Sequence, residues 1–169
     1  MKRLCIVVLL AVVGLGVSSP RVEALGVFAS WWNLDEKNED GFGFGVRQKT
    51  SFTPLLGIDT RASYVNFGDS DVTVFPLELS GQVSLGLFYG GLGLGYYIFD
   101  ADGADLDNNF GWFLLGGIEI ALAKVGVFGE IKWTQLETDF ENIDPDLGDV
   151  PSSLNADGVG FNLGVTLPF

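Results

Sequence analysis

Residues 158–169 read "GVGFNLGVTLPF". Hydrophobic side chains fall at every second position: Val159, Phe161, Leu163, Val165, Leu167 and Phe169. Gly160, Asn162, Gly164, Thr166 and Pro168 sit between them. Side chains of a strand point alternately to its two faces, so one face here is apolar and the other small or polar. The fold turns on whether that apolar face meets a protein core or a lipid.

Seven earlier segments alternate in the same way. The first is 25–32, "LGVFASWW". In 41–49, Phe42, Phe44 and Val46 oppose Gly43, Gly45, Arg47 and Lys49. In 55–67, Leu56, Ile58, Ala62 and Tyr64 oppose Asp59, Arg61 and Ser63. In 74–85, Phe75, Leu77, Leu79 and Val83 oppose Glu78, Ser80, Gln82 and Ser84. In 87–99, Phe88, Leu92, Leu94 and Tyr96 oppose Tyr89, Tyr97 and the glycines between them. Trp112, Leu114, Ile118 and Ile120 oppose Glu119 in 110–122. Val127, Ile131 and Trp133 oppose Phe128, Glu130, Lys132 and Thr134 in 125–135. No helical periodicity follows residue 25.

The links alternate in length. Those at 33–40, 68–73, 100–109 and 136–157 are long, and those near 50–54, Gly86 and 123–124 are short. An even strand number, with long links at one end and tight turns at the other, describes a membrane barrel. Strands of about 9–11 tilted residues suffice to cross a bilayer. The expected fold is all-β: an eight-stranded antiparallel up-and-down transmembrane β-barrel over 25–169.

Charge placement agrees. Asp59, Glu78, Glu119 and Glu130 fall on polar strand faces, as do Arg47, Lys49, Arg61 and Lys132. The remaining acids after residue 24 lie in the long links. No charge falls on an apolar face, where Lys or Arg at the bilayer midplane costs about 2–4 kcal/mol. The alternative is a soluble lipocalin-like barrel, which places its apolar residues inside around a ligand. Its outer wall would then consist of Gly, Ser, Asn and these balanced charges.

Composition narrows the function. The 169 residues suffice for one domain, with 24 Gly, 14 Phe, 4 Tyr and 4 Trp. There is no His, and the only Cys is Cys5, so 25–169 holds no disulfide and no Cys- or His-based metal site. A net charge of −13 argues against binding nucleic acid through its phosphates. Residues 1–24 read as a secretory signal peptide. "MKR" is basic, 4–17 is apolar, and Val22 and Ala24 form a small-residue cleavage site. The apolar run is shorter than the ~20 residues a spanning helix needs.

The pattern over 25–169 resembles the small eight-stranded outer-membrane barrels of Gram-negative bacteria, of the OmpX type and the membrane domain of OmpA. The resemblance implies an outer-membrane location, reached through the signal peptide. It also implies that the alternating end, Phe161, Leu163, Val165, Leu167 and Phe169, is read by the outer-membrane assembly machinery. Pro168 departs mildly from that pattern.

Several expectations follow for the site. So narrow a lumen is filled by its own side chains. The eight inward charges, Arg47, Lys49, Asp59, Arg61, Glu78, Glu119, Glu130 and Lys132, form a network there, with Arg61 and Glu78 as the direct pair across the link at 68–73. This network either plugs the lumen or, by exchange of partners, gates a narrow porin-like ion path. Trp31, Trp112 and Trp133 mark the outer lipid boundary at one height. Trp32 either joins them or packs inward.

Catalysis is not expected. The enzymes among small outer-membrane barrels are built on His, and Ser152 and Ser153 beside Asp149 carry no motif. No cofactor is expected either. Asp100, Asp102, Asp105 and Asp107 are a weak candidate set for Ca²⁺, without EF-hand spacing. The expected partners are outer-membrane lipid, lipopolysaccharide and the assembly machinery.

Overall fold

The computed structural model describes residues 24–34, 39–68, 72–101, 109–139, 153–155 and 157–168. Among these residues are ten strands: β1 (Ala24–Leu34), β2 (Glu39–Ser51), β3 (Leu56–Phe67), β4 (Val72–Leu85), β5 (Phe88–Ala101), β6 (Asn109–Leu122), β7 (Val125–Gln135), β8 (Glu137–Asp139), β9 (Ser153–Asn155) and β10 (Gly158–Pro168). Eight of them close into a barrel in the order β1-β10-β7-β6-β5-β4-β3-β2. Every neighbouring pair in it is antiparallel, and β10 closes it by pairing with both β1 and β7. Closure leaves no unpaired edge among these strands.

The boundaries differ from the expected ones in one respect. β1 runs to Leu34 and β2 begins at Glu39, so 33, 34, 39 and 40 of the expected link are strand. β5 likewise extends through Asp100 to Ala101. Within the link expected at 136–157, β8 and β9 pair as a small separate sheet. These extensions carry few apolar outward residues, which is why alternation alone ended the strands too early. At the opposite end the turns are tight. Gly86 (φ 66°) and Ala123 (φ 56°) take the left-handed conformation there.

The sides of the strands follow the sequence pattern. Arg47, Asp59, Arg61, Glu78, Glu130 and Lys132 point inward and are buried, while Phe42, Leu79, Leu94, Ile131 and Leu163 point outward and are exposed. Glycine makes the narrow interior possible. A Cβ on Gly95 would stand 2.6 Å from the Tyr97 ring, and one on Gly164 2.7 Å from the Phe128 ring. These bulky inward rings thus lie over a glycine of their own or an adjacent strand, the small-and-large alternation of a tightly filled barrel. Side chains at those glycines would overpack the lumen, at about 1–3 kcal/mol each.

Candidate functional site

Polarity in this barrel is inverted relative to a soluble protein. Leu94 is 68% exposed and Leu163 66%, whereas Arg47 is 1% exposed and Asp59 0%. Charged side chains are almost never fully buried unless paired. A lipocalin-like barrel requires the opposite arrangement, and these faces overturn that reading.

The lumenal charges form three tiers. In the middle, Asp59 accepts hydrogen bonds from Arg47 and from Arg61, the latter at 3.0 Å, and from Gln82 Nε2 at 2.9 Å. Arg61 reaches across the lumen from β3 to β7 and binds Glu130 through both Nη atoms, one of them at 2.7 Å. Tyr89 Oη and Asn162 Nδ2 also donate to Glu130, at 3.0 and 2.9 Å. Two guanidiniums thus balance two carboxylates, in the fork geometry that suits Arg to carboxylates.

Toward the long links, Lys132 pairs with Glu78, to which Tyr97 Oη also donates at 3.1 Å. The Lys132 ammonium lies 5.4 Å from the Trp32 ring and 5.5 Å from the Phe113 ring. Toward the short turns, Lys49 pairs with Glu119 at 3.2 Å, and Thr166 Oγ1 donates to Glu119 at 2.7 Å. All eight expected lumenal charges therefore meet partners inside the barrel.

The expected Arg61–Glu78 pair does not form. Register sets the two residues directly opposite each other on β3 and β4. Arg61 nevertheless binds Glu130 and Asp59, and Glu78 binds Lys132. In a lumen this narrow, long side chains meet the far wall as readily as the adjacent strand, so register alone does not select partners.

Beyond Lys132 the lumen becomes apolar. Trp32, Leu34, Val65, Phe67, Val74, Tyr97, Phe99 and Leu136 pack into one buried cluster. The Trp32 ring lies 5.8 Å from that of Phe67 and 5.9 Å from that of Tyr97. Sequence reasoning had not singled this cluster out. Its signal was strand parity: continuing the inward face of β3 past Ser63 reaches Val65 and Phe67. Trp32 packs inward, the second of its two expected placements.

The outward face carries aromatic residues toward the long-link ends of all eight strands. Trp31 lies 5.3 Å from Phe161, and Trp112 lies 5.1 Å from Trp133. Phe44 and Phe75 flank Tyr64 at 5.5 and 5.3 Å, and Tyr96 lies 4.8 Å from Phe110. The expected Trp31, Trp112 and Trp133 all belong to this girdle. On β10, Phe161, Leu163, Val165 and Leu167 are exposed on the outward face. Phe169 lies outside the described residues, as do Asp102, Asp105, Asp107, Asp149 and Ser152. Asp100 closes the outward face of β5, and no cluster of potential metal ligands occurs among the described residues.

A closed eight-stranded antiparallel barrel with an apolar exterior and paired charges inside has the fold of a transmembrane β-barrel. Among solved structures it is similar to the crystal structure of Neisserial surface protein A (NspA). The TM-score is 0.65 at 14% identity, covering 89% of this chain and 98% of that one. A de novo designed transmembrane β-barrel aligns at a TM-score of 0.47 and 12% identity, covering 88% of this chain and 98% of the design. No family model and no curated protein matches the chain. The likeness is one of fold, and the narrower OmpX and OmpA affiliation is not established by it.

Proposed function

We propose that this chain is an integral outer-membrane barrel of a Gram-negative bacterium, with a structural or surface-interaction role and no catalysis. The observation that carries this reading is the inverted polarity: a wall of exposed Leu, Val, Ile and Phe around a lumen of paired charges. An exposed apolar surface of this extent in water would be an aggregation site. In a bilayer it is the solvated face. The absence of His supports the non-catalytic reading against the His-based constellations of barrel enzymes.

The same reading gives the orientation. Residues 1–24 direct export and are removed, and eight crossings return the chain to the periplasmic side. The short turns are then periplasmic, and the long acidic links face outward. Outer-membrane lipid and lipopolysaccharide surround the wall, and the aromatic girdle marks its outer boundary. The alternating end through Phe169 engages the assembly machinery. A gated ion path is the second reading. The lumenal charges permit it, but side chains fill the lumen through both its polar and its apolar parts, which favours the structural role.

The test is made on the membrane-extracted protein. Mass spectrometry is expected to find Leu25 as the first residue. Deleting Phe169 is expected to lower the amount of heat-modifiable barrel in the outer membrane while secretion continues. An intact Met1, or normal outer-membrane levels of the truncated chain, would count against the reading.

A further inference from the structure

We propose that the lumen is closed twice, in series, and that the closure toward the long links is an apolar seal that does not depend on the Arg61–Glu130 bridge. The inference rests on the membrane-barrel reading but goes beyond it. The lumen changes character along its length. At the short-turn end, the Lys49 and Glu119 side chains are 16% and 22% exposed, so water reaches the first tier. In the middle, Arg61 bridges β3 to β7 through Glu130, with Asp59 and Arg47 beside it. Past Lys132, the Trp32, Phe67, Tyr97 and Phe99 cluster takes over.

The outer wall changes in the opposite sense over the same stretch. Beyond the aromatic girdle, the outward residues include Asn33, Asp40, Asn66, Thr73, Asp100 and Gln135. Asn33 Nδ2 donates to Asp40 Oδ1 at 2.9 Å, and Asn66 Nδ2 donates to Thr73 Oγ1 at 3.1 Å. An apolar core inside a polar wall is the pattern of a barrel standing in water. This end is therefore a collar projecting past the lipid, with a packed core like that of a soluble protein. Glu39 is buried at its rim. A narrow apolar constriction excludes water, and with it ions, without any charge taking part. Breaking the bridge in the middle tier consequently leaves the barrel shut.

Planar-bilayer conductance tests this on the whole protein, with heat-modifiable migration as the check that each form is a folded barrel. All variants are made in a Glu78→Ser, Lys132→Ser background, which removes the buried pair between the two closures, and in it Arg61→Ser with Glu130→Ser removes the bridge. It is expected to be as silent as the wild type. Trp32→Ser with Phe67→Ser opens the seal alone and is also expected to be silent. The four substitutions together are expected to give resolved conductance steps. Steps from either pair alone, or silence from the folded fourfold variant, would overturn the inference. If the fourfold variant does not fold, Trp32→Ser added to the bridge variant replaces it under the same criteria. A wild type that fails to enter vesicles at all would instead refute the membrane-barrel reading, a distinct outcome.

Discussion

Leu92→Arg is expected to prevent the chain from accumulating as a folded membrane barrel. Leu92 lies on β5 midway between Phe88 at its short-turn end and the girdle residue Tyr96, directly between Gly81 of β4 and Leu114 of β6, and its side chain faces outward at 58% exposure. If that face meets hydrocarbon, a guanidinium there costs about 2–4 kcal/mol near the bilayer midplane. Loss of the leucine side chain from lipid adds to this. Domain stabilities are of the order of 5–15 kcal/mol, so the change removes a large share. In a water-soluble barrel the same substitution at an exposed site would stay within about 0.5 kcal/mol. Urea titration of the vesicle-inserted protein, read by heat-modifiable migration, distinguishes the two. An unchanged midpoint would mean that the outer wall does not face lipid.

The second large effect is expected at Asp59. Its carboxylate is shared by Arg47, Arg61 and Gln82 and is fully buried. Asp59→Ala leaves two guanidiniums with Glu130 as the remaining acid of the middle tier. Removing one partner of a buried pair costs about 3–5 kcal/mol, because an uncompensated charge stays inside. Combining Asp59→Ala with Arg47→Met restores the balance and is expected to recover most of the loss. Glu119→Gln makes the contrast. Its pair with Lys49 lies near the short-turn mouth, where water supports the freed charge, and the loss is expected to be smaller. Equal urea midpoints for Asp59→Ala and wild type would show that the middle tier contributes nothing to stability.

The sidedness of the eight barrel strands was legible because it depends on one local variable, the two-residue period of side-chain direction. Phe42 and Phe44 against Arg47, or Leu77 and Leu79 against Glu78, declare the two faces without reference to distant residues. The partners of the charges were not legible, because they depend on how the barrel closes. Register sets Lys49 opposite Asp59 and Arg61 opposite Glu78, yet Lys49 binds Glu119 and Arg61 binds Glu130. Those contacts run between strands 69 or 70 residues apart in sequence. The collar was missed for a related reason. Trp32, Phe67 and Phe99 are apolar on the inward side, as Phe28, Phe113, Leu115 and Phe128 are lower in the barrel, so an apolar residue does not by itself mark the outward face. Only the parity of each strand, carried past its charged positions, reveals the change.

Inverted polarity is most directly measured by spin labels along β10. Single cysteines are placed in turn at 160, 161, 162, 163 and 165, with Cys5 replaced by Ser, in the protein inserted into lipid vesicles. Each label's relaxation is read against oxygen, which concentrates in hydrocarbon, and against a nickel chelate, which stays in water. The expected pattern has period two. Labels at Phe161→Cys, Leu163→Cys and Val165→Cys respond to oxygen and not to nickel, while those at Gly160→Cys and Asn162→Cys respond weakly to both. Nickel access at 161, 163 and 165, with no oxygen response, would contradict a lipid-facing wall.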